Sequence, residues 1–162
     1  MKARAALILL LTAIAISAPV TSSAATDKPL RLSGVVAESP TPDPACRGLR
    51  IPETGTLTGP PFGRAIWTAV ECADFTAEPG GIVIRDGHFL LSARAGTVRG
   101  TYTAHASYPS SQLHIYAWGP FTITSGTGAY KGVRGGGLLA ADAQPAKNIA
   151  QFELAGTIRS SR

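Results

Sequence analysis

The chain has 162 residues, a formal net charge of +5, 18 glycines and 12 prolines. This length suits one domain, which can bury roughly two thirds of the surface of its unfolded chain. The lysines and arginines are scattered, and no helix-turn-helix, zinc-finger or RNA-binding motif accompanies them, which argues against a nucleic-acid partner.

The first residues are typical of a secretory signal peptide. Lys2 and Arg4 precede an almost entirely apolar run over residues 5–18, and the small residues Ser23 and Ala25 stand before a cleavage point. The apolar run is shorter than the ~20 residues of a membrane span. We therefore predict cleavage after Ala25, a secreted or periplasmic location, and no membrane span in the mature domain, residues 26–162. Loss of the two basic residues lowers the formal charge from +5 to +3.

Cys46 and Cys72 are the only two cysteines, and in an oxidising compartment they are expected to form a disulfide bond. A chain-entropy argument assigns roughly 3–4 kcal/mol to such a bond. The spacing lacks the Cys-x-x-Cys pattern of a redox pair. Prolines crowd the chain on both sides of Cys46, so a Pro-rich loop is predicted over about 37–53.

The rest of the chain alternates glycine and proline with short runs rich in Val, Ile, Thr, Tyr and Phe, which is typical of strands and turns. Outside the signal peptide, no stretch keeps a helical apolar period for three turns. One short helical turn is predicted within Gly126–Gly132. The predicted strands are Leu30–Ala37, Thr54–Thr58, Arg64–Cys72, Gly81–Arg85, His88–Ala93, Thr97–Ala106, Leu113–Thr124, Gly136–Ala141 and Ile149–Ser160.

Three turn signals set the predicted register of the central strands. Asp86-Gly87 favours a two-residue type I′ hairpin, a second loop is centred on Ala95-Gly96, and a third lies between Pro109 and Ser110. With these turns, the predicted pairs are Ile84 with Phe89, Ile82 with Leu91, Leu91 with Gly100, Phe89 with Tyr102, Tyr102 with Ala117, and Ala104 with Ile115.

The same register gives the sheet one apolar and one mostly polar face, as expected when one side is buried. The apolar face holds Ile82, Ile84, Phe89, Leu91, Val98, Tyr102, Leu113 and Ile115. The polar face includes His88, His105, His114, Tyr116 and Trp118. Several antiparallel strands with short connections favour a sandwich or an up-and-down barrel.

The three histidines fall close together on the polar face, with His105 directly across from His114 and His88 diagonal to His105. Three imidazoles can hold zinc or copper, but diagonal neighbours are ~7–8 Å apart. Solvated surface residues are the favoured interpretation, and no metal or cofactor is predicted. Tyr116 and Trp118 add aromatic bulk to this face and are candidates for contact with a surface partner.

The remaining polar residues form no catalytic motif. The stretch Ser125–Gly132 precedes no long helix and lacks the Gly-Lys-Ser/Thr of a Walker loop, so its glycines are interpreted as tight turns. The chain has no Gly-x-Ser-x-Gly elbow. Glu71 ends a strand beside Cys72, and Glu153 is placed on the exposed side of the last strand with no second carboxylate near it. Neither is assigned an acid–base role.

The stretch Phe121–Gly137 contains Ser-Gly-Thr-Gly-Ala-Tyr-Lys-Gly and resembles the GTGxFxGAxGxG stretch of bacterial exported proteins similar to allene oxide cyclase and dirigent barrels. Matching segments at Thr97–Thr103 and Phe152–Ile158 extend the resemblance over roughly the second half of the chain. The resemblance implies an all-β fold, an antiparallel up-and-down β-barrel of about eight strands with a small central cavity. No catalytic residue of those families is carried over to a position here.

The expected function is that of a small exported barrel that binds a small hydrophobic molecule or a surface partner. We expect Phe89, Tyr102, Ile115 and Phe121 to line its cavity. The alternative is a cyclase or isomerase that confines a reactive substrate in the barrel, which requires an inward polar residue with a perturbed pKa. The sequence leaves open whether the protein is an enzyme and how many chains associate.

Overall fold

The computed structural model describes residues 27–77, 80–107 and 113–160. In it, eight antiparallel strands close into a β-barrel, and one short strand is added beside them. The strands are β1 (Lys28–Glu38), β2 (Thr41–Asp43), β3 (Gly48–Gly59), β4 (Gly63–Asp74), β5 (Gly81–Ala93), β6 (Gly96–Ser107), β7 (Ile115–Gly126), β8 (Val133–Gln144) and β9 (Ile149–Ser160). Single 3-10 turns occupy Pro44–Cys46, Gly128–Tyr130 and Pro145–Lys147. The predicted all-β barrel of about eight strands is confirmed.

Strands β3 to β9 pair in sequence order, and the barrel closes where β1 pairs with both β9 and β3. The closing register places Leu32 opposite Leu154 on β9 and Ser33 opposite Thr58 on β3. The short strand β2 pairs with the start of β3. Closure lets the eight long strands satisfy their backbone hydrogen bonds without an open edge.

Alternating side chains fill much of the barrel interior. On β9, for example, Ala150, Phe152 and Leu154 are buried while the residues between them are exposed. The centre of the core is the fully buried Trp67, whose ring stacks on Phe89 at 5.0 Å between ring centroids and lies 5.5 Å from that of Phe152. The interior of an eight-stranded barrel is just wide enough for side chains to fill or for one small ligand.

One end of the barrel is closed by the connection between β7 and β8. Its 3-10 turn, Gly128–Tyr130, confirms the predicted helical turn. The Thr127 N–H donates to the Thr97 carbonyl at 2.9 Å, which holds this connection over the turn between β5 and β6. The Tyr130 ring meets the ring of Phe62 edge-on, with 4.8 Å between centroids. Packed side chains therefore cover this end.

The predicted hairpin at Asp86-Gly87 is wrong. Gly81–Ala93 form one continuous strand, and its register with β6 shifts between Ile84 and Gly87. Asp86 has a φ of 54°, so the dipeptide makes a β-bulge rather than a turn. A bulge inserts one residue and thereby switches which positions face inward. Before the bulge the inward apolar residues have even numbers, and after it they have odd numbers. A hairpin would produce the same change, and here the inserted residue produces it.

Two further registers differ from the prediction by an even number of residues. Leu91 pairs with Val98 instead of Gly100, and Tyr102 pairs with Phe121 instead of Ala117. Because side chains alternate with a period of two, an even shift leaves each residue on its predicted face. The predicted apolar face is accordingly buried, apart from the half-buried Ile115 and the exposed Leu113. The third predicted turn, between Pro109 and Ser110, lies outside the described residues.

The Pro-rich segment contains more regular structure than predicted. A loop is predicted over about 37–53, but Thr41–Asp43 form a strand and β3 begins at Gly48. Cys46 and Cys72 form the predicted disulfide bond, which ties the 3-10 turn between β2 and β3 to strand β4. The predicted signal peptide and its cleavage point lie outside the described residues.

Candidate functional site

A cavity of about 310 Å³ opens at the barrel end opposite the contact between Phe62 and Tyr130. This volume lies at the lower limit of small-molecule sites, which range over ~300–1,000 Å³. Strand ends from around the barrel supply its mainly apolar walls. The small side chains that leave it open form what we call the alanine wall: Ala73, Ala104, Ala106, Ala117, Ala141 and Ala143.

Three glutamates from neighbouring strands lie at one side of the cavity. Glu38 on β1 is directly opposite Glu53 on β3. Glu53 is diagonal to Glu71 on β4, since the residue opposite Glu71 is Ile51. Direct neighbours in an antiparallel sheet are ~5 Å apart and diagonal ones ~7–8 Å. Glu53 and Glu71 are only 4% and 7% exposed, so the inner two carboxyl groups share a buried site.

Tyr102 on β6 also lines the cavity, and the β5 bulge makes room for it. We call Glu53, Glu71 and Tyr102 the polar floor of the cavity. Gly87 is paired with Tyr102, and a Cβ at Gly87 would lie 2.8 Å from two atoms of the tyrosine ring. The register between β4 and β5 also shifts at Glu71, between Val70 and Cys72. Bulges beside functional sites re-aim side chains. Here the bulge and its glycine let the phenol ring lie across β5.

Burial decides the protonation of the two inner glutamates. It raises the pKa of Glu71 from 4.5 to about 7, although the nearby Tyr102 hydroxyl lowers this pKa, and the charge of Glu38 acts in the same direction as burial. Burial, followed by the charge of Glu71, raises the pKa of Glu53 well above its ordinary value, although the Trp67 indole donates to Glu53 Oε2 at 2.8 Å. Burial also raises the pKa of Glu38. The inner pair therefore retains a proton near neutral pH, as like charges in one site require.

Two buried polar atoms at the cavity floor are incompletely satisfied. Within the described residues, Glu53 Oε1 makes no hydrogen bond. The Tyr102 hydroxyl lies next to Glu71 and Glu53 and lowers the pKa of both carboxyl groups, but neither contact reaches good hydrogen-bond geometry. Burial, together with the charges of Glu71 and Glu53, raises the pKa of Tyr102 well above its ordinary value, so it remains a phenol. An unsatisfied buried polar group costs ~1–3 kcal/mol. A carboxyl group that titrates near neutrality beside a phenol can also donate or accept a proton.

An ion-pair network holds the rim of the cavity beside the disulfide bond. The buried Asp74, at the end of β4, accepts hydrogen bonds from Arg47 Nε at 2.8 Å and from the backbone and hydroxyl of Thr76 at 2.9 Å. Arg85 Nε lies 3.2 Å from the same carboxylate. Burial alone would raise the pKa of Asp74, but these hydrogen bonds and the Arg47 charge hold it at about 2. This network therefore fixes the rim and occupies both arginines.

Two of the four residues predicted to line the cavity do so. Tyr102 and Ile115 face it. Phe89 and Phe121 instead lie in the filled part of the barrel, where Phe89 stacks on Trp67 and its ring centroid is 6.3 Å from that of Phe121. These two phenylalanines are core residues, because the bulge and the shifted register place them deeper than predicted.

The pairing of Glu53 and Glu71 was not predicted from the sequence. The available signal for Glu71 is strand parity, since Trp67 and Ala69 precede it at inward positions and successive inward residues are two apart. Strand parity gives no signal for Glu53, because its position falls in the segment interpreted as a Pro-rich loop. Inward and outward positions alternate only within a strand. Glu153 is exposed on β9, as predicted.

The three histidines do not converge. His105 lies opposite Trp118 rather than His114. His88 lies opposite Thr101, four residues along β6 from His105, which corresponds to roughly 13 Å along a strand. In the part of the chain that the structure describes, no group of three His, Cys, Asp or Glu side chains could hold a metal ion. The predicted three-histidine arrangement is therefore wrong, because it depended on the shifted register.

The outer aromatic residues are exposed, as predicted. Tyr116 and Trp118 are 47% and 54% exposed. His114 stacks on Tyr116, and its Nδ1 lies 2.8 Å from Asp142 Oδ1 on β8. This arrangement gives His114 a local partner on the surface of the barrel.

Comparisons with protein-family models, curated proteins and solved structures found no match to this chain. The resemblance to allene oxide cyclase and dirigent barrels thus stays a prediction. Among the described residues, no helix has the length and apolar character needed to cross a membrane. A fold shared by many functions does not specify one, so the cavity and its polar floor are the basis for a function.

Proposed function

We propose that the barrel binds a small, mostly apolar molecule in its cavity, with a polar group of that molecule against Glu53, Glu71 and Tyr102. The observation that carries this proposal is an open cavity whose floor holds buried polar atoms that no hydrogen bond of good geometry satisfies within the described part of the chain. Protein interiors are normally close-packed, and unfilled core volume destabilises a fold. Apolar walls with a few convergent polar groups are the usual pattern of a small-molecule site.

Trp67 offers a direct test of binding. It donates to Glu53 at the cavity floor, whereas the second tryptophan, Trp118, is on the outer surface. A Trp118→Phe variant therefore leaves Trp67 as the single tryptophan. We expect phenylbutanol to change the Trp67 emission saturably in this variant.

The matched control adds Ala104→Leu, which fills part of the alanine wall. We expect this change to remove the response to phenylbutanol while the protein stays folded. Saturable binding that survives Ala104→Leu would place the probe outside the cavity and overturn the proposal.

A second candidate function is proton transfer on a confined substrate, as in a cyclase or isomerase. It is favoured by the carboxyl group of Glu71, whose pKa is about 7, in an apolar enclosure beside the Tyr102 phenol. A carboxylate can remove a proton next to a carbonyl group, and a phenol can stabilise the resulting enolate by a hydrogen bond.

A cyclic β,γ-unsaturated ketone is a suitable probe of this activity. The Glu71 carboxylate would take the proton between the carbonyl group and the double bond, and the resulting acid would return it to the far carbon of the dienolate, giving the conjugated ketone. We expect the wild-type protein to accelerate the rise in conjugated-ketone absorbance, Glu71→Gln to abolish the acceleration, and the surface control Glu153→Gln to keep it. Equal rates for wild type and Glu71→Gln would eliminate this candidate.

We also infer that the protein is exported. The signal-peptide pattern and the disulfide bond between Cys46 and Cys72 support this inference, because such bonds persist in oxidising compartments. N-terminal sequencing of the chain recovered from the periplasm or the medium is expected to begin at Thr26. Accumulation of the chain in the cytosol with Met1 retained would contradict the inference.

A further inference from the structure

Among the described residues, the ionisable side chains with ordinary charge at neutral pH that line the cavity are all acidic. Glu38, Glu53 and Glu71 line it, and the described residues that line it include no lysine, arginine or histidine. Arg47 and Arg85, at the rim, are engaged with Asp74. The whole chain carries a net charge of +5, so the acidic interior does not follow from the overall composition.

Hydrogen-bond acceptors outnumber donors at the cavity floor. The Trp67 indole N–H is used by Glu53 Oε2 at 2.8 Å, while Glu53 Oε1 has no partner among the described residues. Tyr102 is 3% exposed and lines the cavity, and its hydroxyl lies next to Glu71 and Glu53 without a hydrogen bond of good geometry within the described residues. It can supply one donor. Ionised carboxylates only accept, and the proton that the inner glutamates share gives them one donor between them, whereas an ammonium group offers three donors and no acceptor. The floor thus lacks a donor with positive charge.

Resting on the proposed function, we propose that the ligand is an amine: a protonated primary amine on a compact apolar skeleton, with its ammonium group among the three glutamates and its skeleton against the alanine wall. The rings of Tyr102 and Phe152 border the same cavity, and aromatic faces attract a desolvated cation. Hydrogen bonds from a cation to a carboxylate are roughly twice as strong as neutral ones. Binding expels the proton that the inner glutamates share, because the ammonium group replaces it as the counter-charge.

Three probes with one skeleton separate the charge of the ligand from its apolar part. Phenylbutylamine is a cation, phenylbutanol is neutral and phenylbutyrate is an anion, and each is titrated against Trp67 emission in the Trp118→Phe protein at about pH 8, above the pKa of Glu71. We expect the amine to bind about tenfold more tightly than the alcohol, and the anion more weakly than both.

Glu71→Gln and Glu153→Gln are the matched variants for this inference. We expect Glu71→Gln to weaken amine binding about tenfold while alcohol binding changes less than about twofold. Glu153→Gln, on the outer face of β9, should change neither. If Glu71→Gln does not fold, calorimetry of the Trp118→Phe protein below the pKa of Glu71, in two buffers of different ionisation enthalpy, provides the second measurement. Amine binding is then expected to release protons and alcohol binding to release none.

The outcomes distinguish this inference from the function on which it rests. Equal affinities for amine and alcohol, tightest binding of the anion, or amine binding without proton release would overturn the inference and leave a cavity that binds neutral or anionic molecules. Binding of none of the three probes would overturn both the inference and the proposed function.

Discussion

Ionisation of Glu71 is expected to weaken the fold by an amount that follows from its pKa. The group has an ordinary pKa of 4.5, and burial in the barrel raises the pKa to about 7. Since the folded protein holds this proton more tightly than the unfolded chain, stability falls as the pH rises between the two values. At about 1.4 kcal/mol per pH unit, the free energy of unfolding decreases by about 3 kcal/mol. Glu53, whose pKa is also raised by burial, adds a loss in the same direction.

Urea unfolding of the disulfide-bonded protein from about pH 5 to about pH 8 measures this loss. Glu71→Gln is neutral throughout, so its stability is expected to fall by less than that of the wild type, with a difference of up to about 3 kcal/mol. Glu153→Gln removes an exposed carboxyl group of the same chemistry and is expected to follow the wild type. A Glu71→Gln profile parallel to the wild-type profile would show that ionisation of Glu71 does not weaken the fold.

Three further predictions concern the rim, the disulfide bond and the bulge. Asp74→Asn breaks the network with Arg47 and Arg85 and should lower the urea midpoint at neutral pH. Because the pKa of Asp74 is lowered from 3.8 to about 2, its stabilisation is lost as the pH falls between those values, a loss that acid titration of the variant should lack. Exchange of both cysteines for serine is expected to cost about 3–4 kcal/mol, which an unchanged urea midpoint would contradict. Gly87→Ala places a Cβ against the Tyr102 ring, so it should lower the free energy of unfolding by about 1–3 kcal/mol and weaken phenylbutanol binding. Wild-type stability together with wild-type affinity would show that the glycine does not position the ring.

Strand parity made most of the fold predictable from the sequence. The inward assignment of Leu91 and Tyr102 holds although the pairing of each differs from the prediction, because even shifts preserve the face of each side chain. Parity is a local property of each strand, whereas register depends on contacts between distant parts of the chain. The same locality explains why Glu71 could have been placed inside and Glu53, beside a proline, could not.

The bulge at Asp86-Gly87 shows where local signals are ambiguous. A type I′ turn and this bulge both need positive φ at Asp86, and both change the parity of the apolar residues around them. Only the pairing with β4 and β6 on either side distinguishes a continuous strand from a hairpin. The misassigned element also positions the candidate site, since Gly87 makes room for Tyr102. Functional sites are where local rules for foldability are most often broken.

The features that destabilise this fold are concentrated at one end of the barrel. There, Glu53 and Glu71 are buried at the expense of their ionisation, the Tyr102 hydroxyl makes no hydrogen bond of good geometry within the described residues, and the alanine wall leaves volume unfilled. At the other end, Phe62 and Tyr130 pack together over a filled core. Structural needs alone would not separate the two ends in this way, since packing stabilises both equally. The asymmetry is expected of a barrel in which one end is kept for a ligand.

Replacement of Ala104 by leucine is therefore expected to stabilise the fold while it closes the cavity. The added carbons enter open space between apolar side chains, and cavity-filling changes commonly add about 0.5–2 kcal/mol. The matched control is Ala65→Leu, because Ala65 is 1% exposed within the filled core, where extra volume costs about 1–3 kcal/mol. Urea midpoints of the two variants should move in opposite directions. If Ala104→Leu destabilises as much as Ala65→Leu, the cavity is not open space, and the alanines are there for close packing rather than for a ligand.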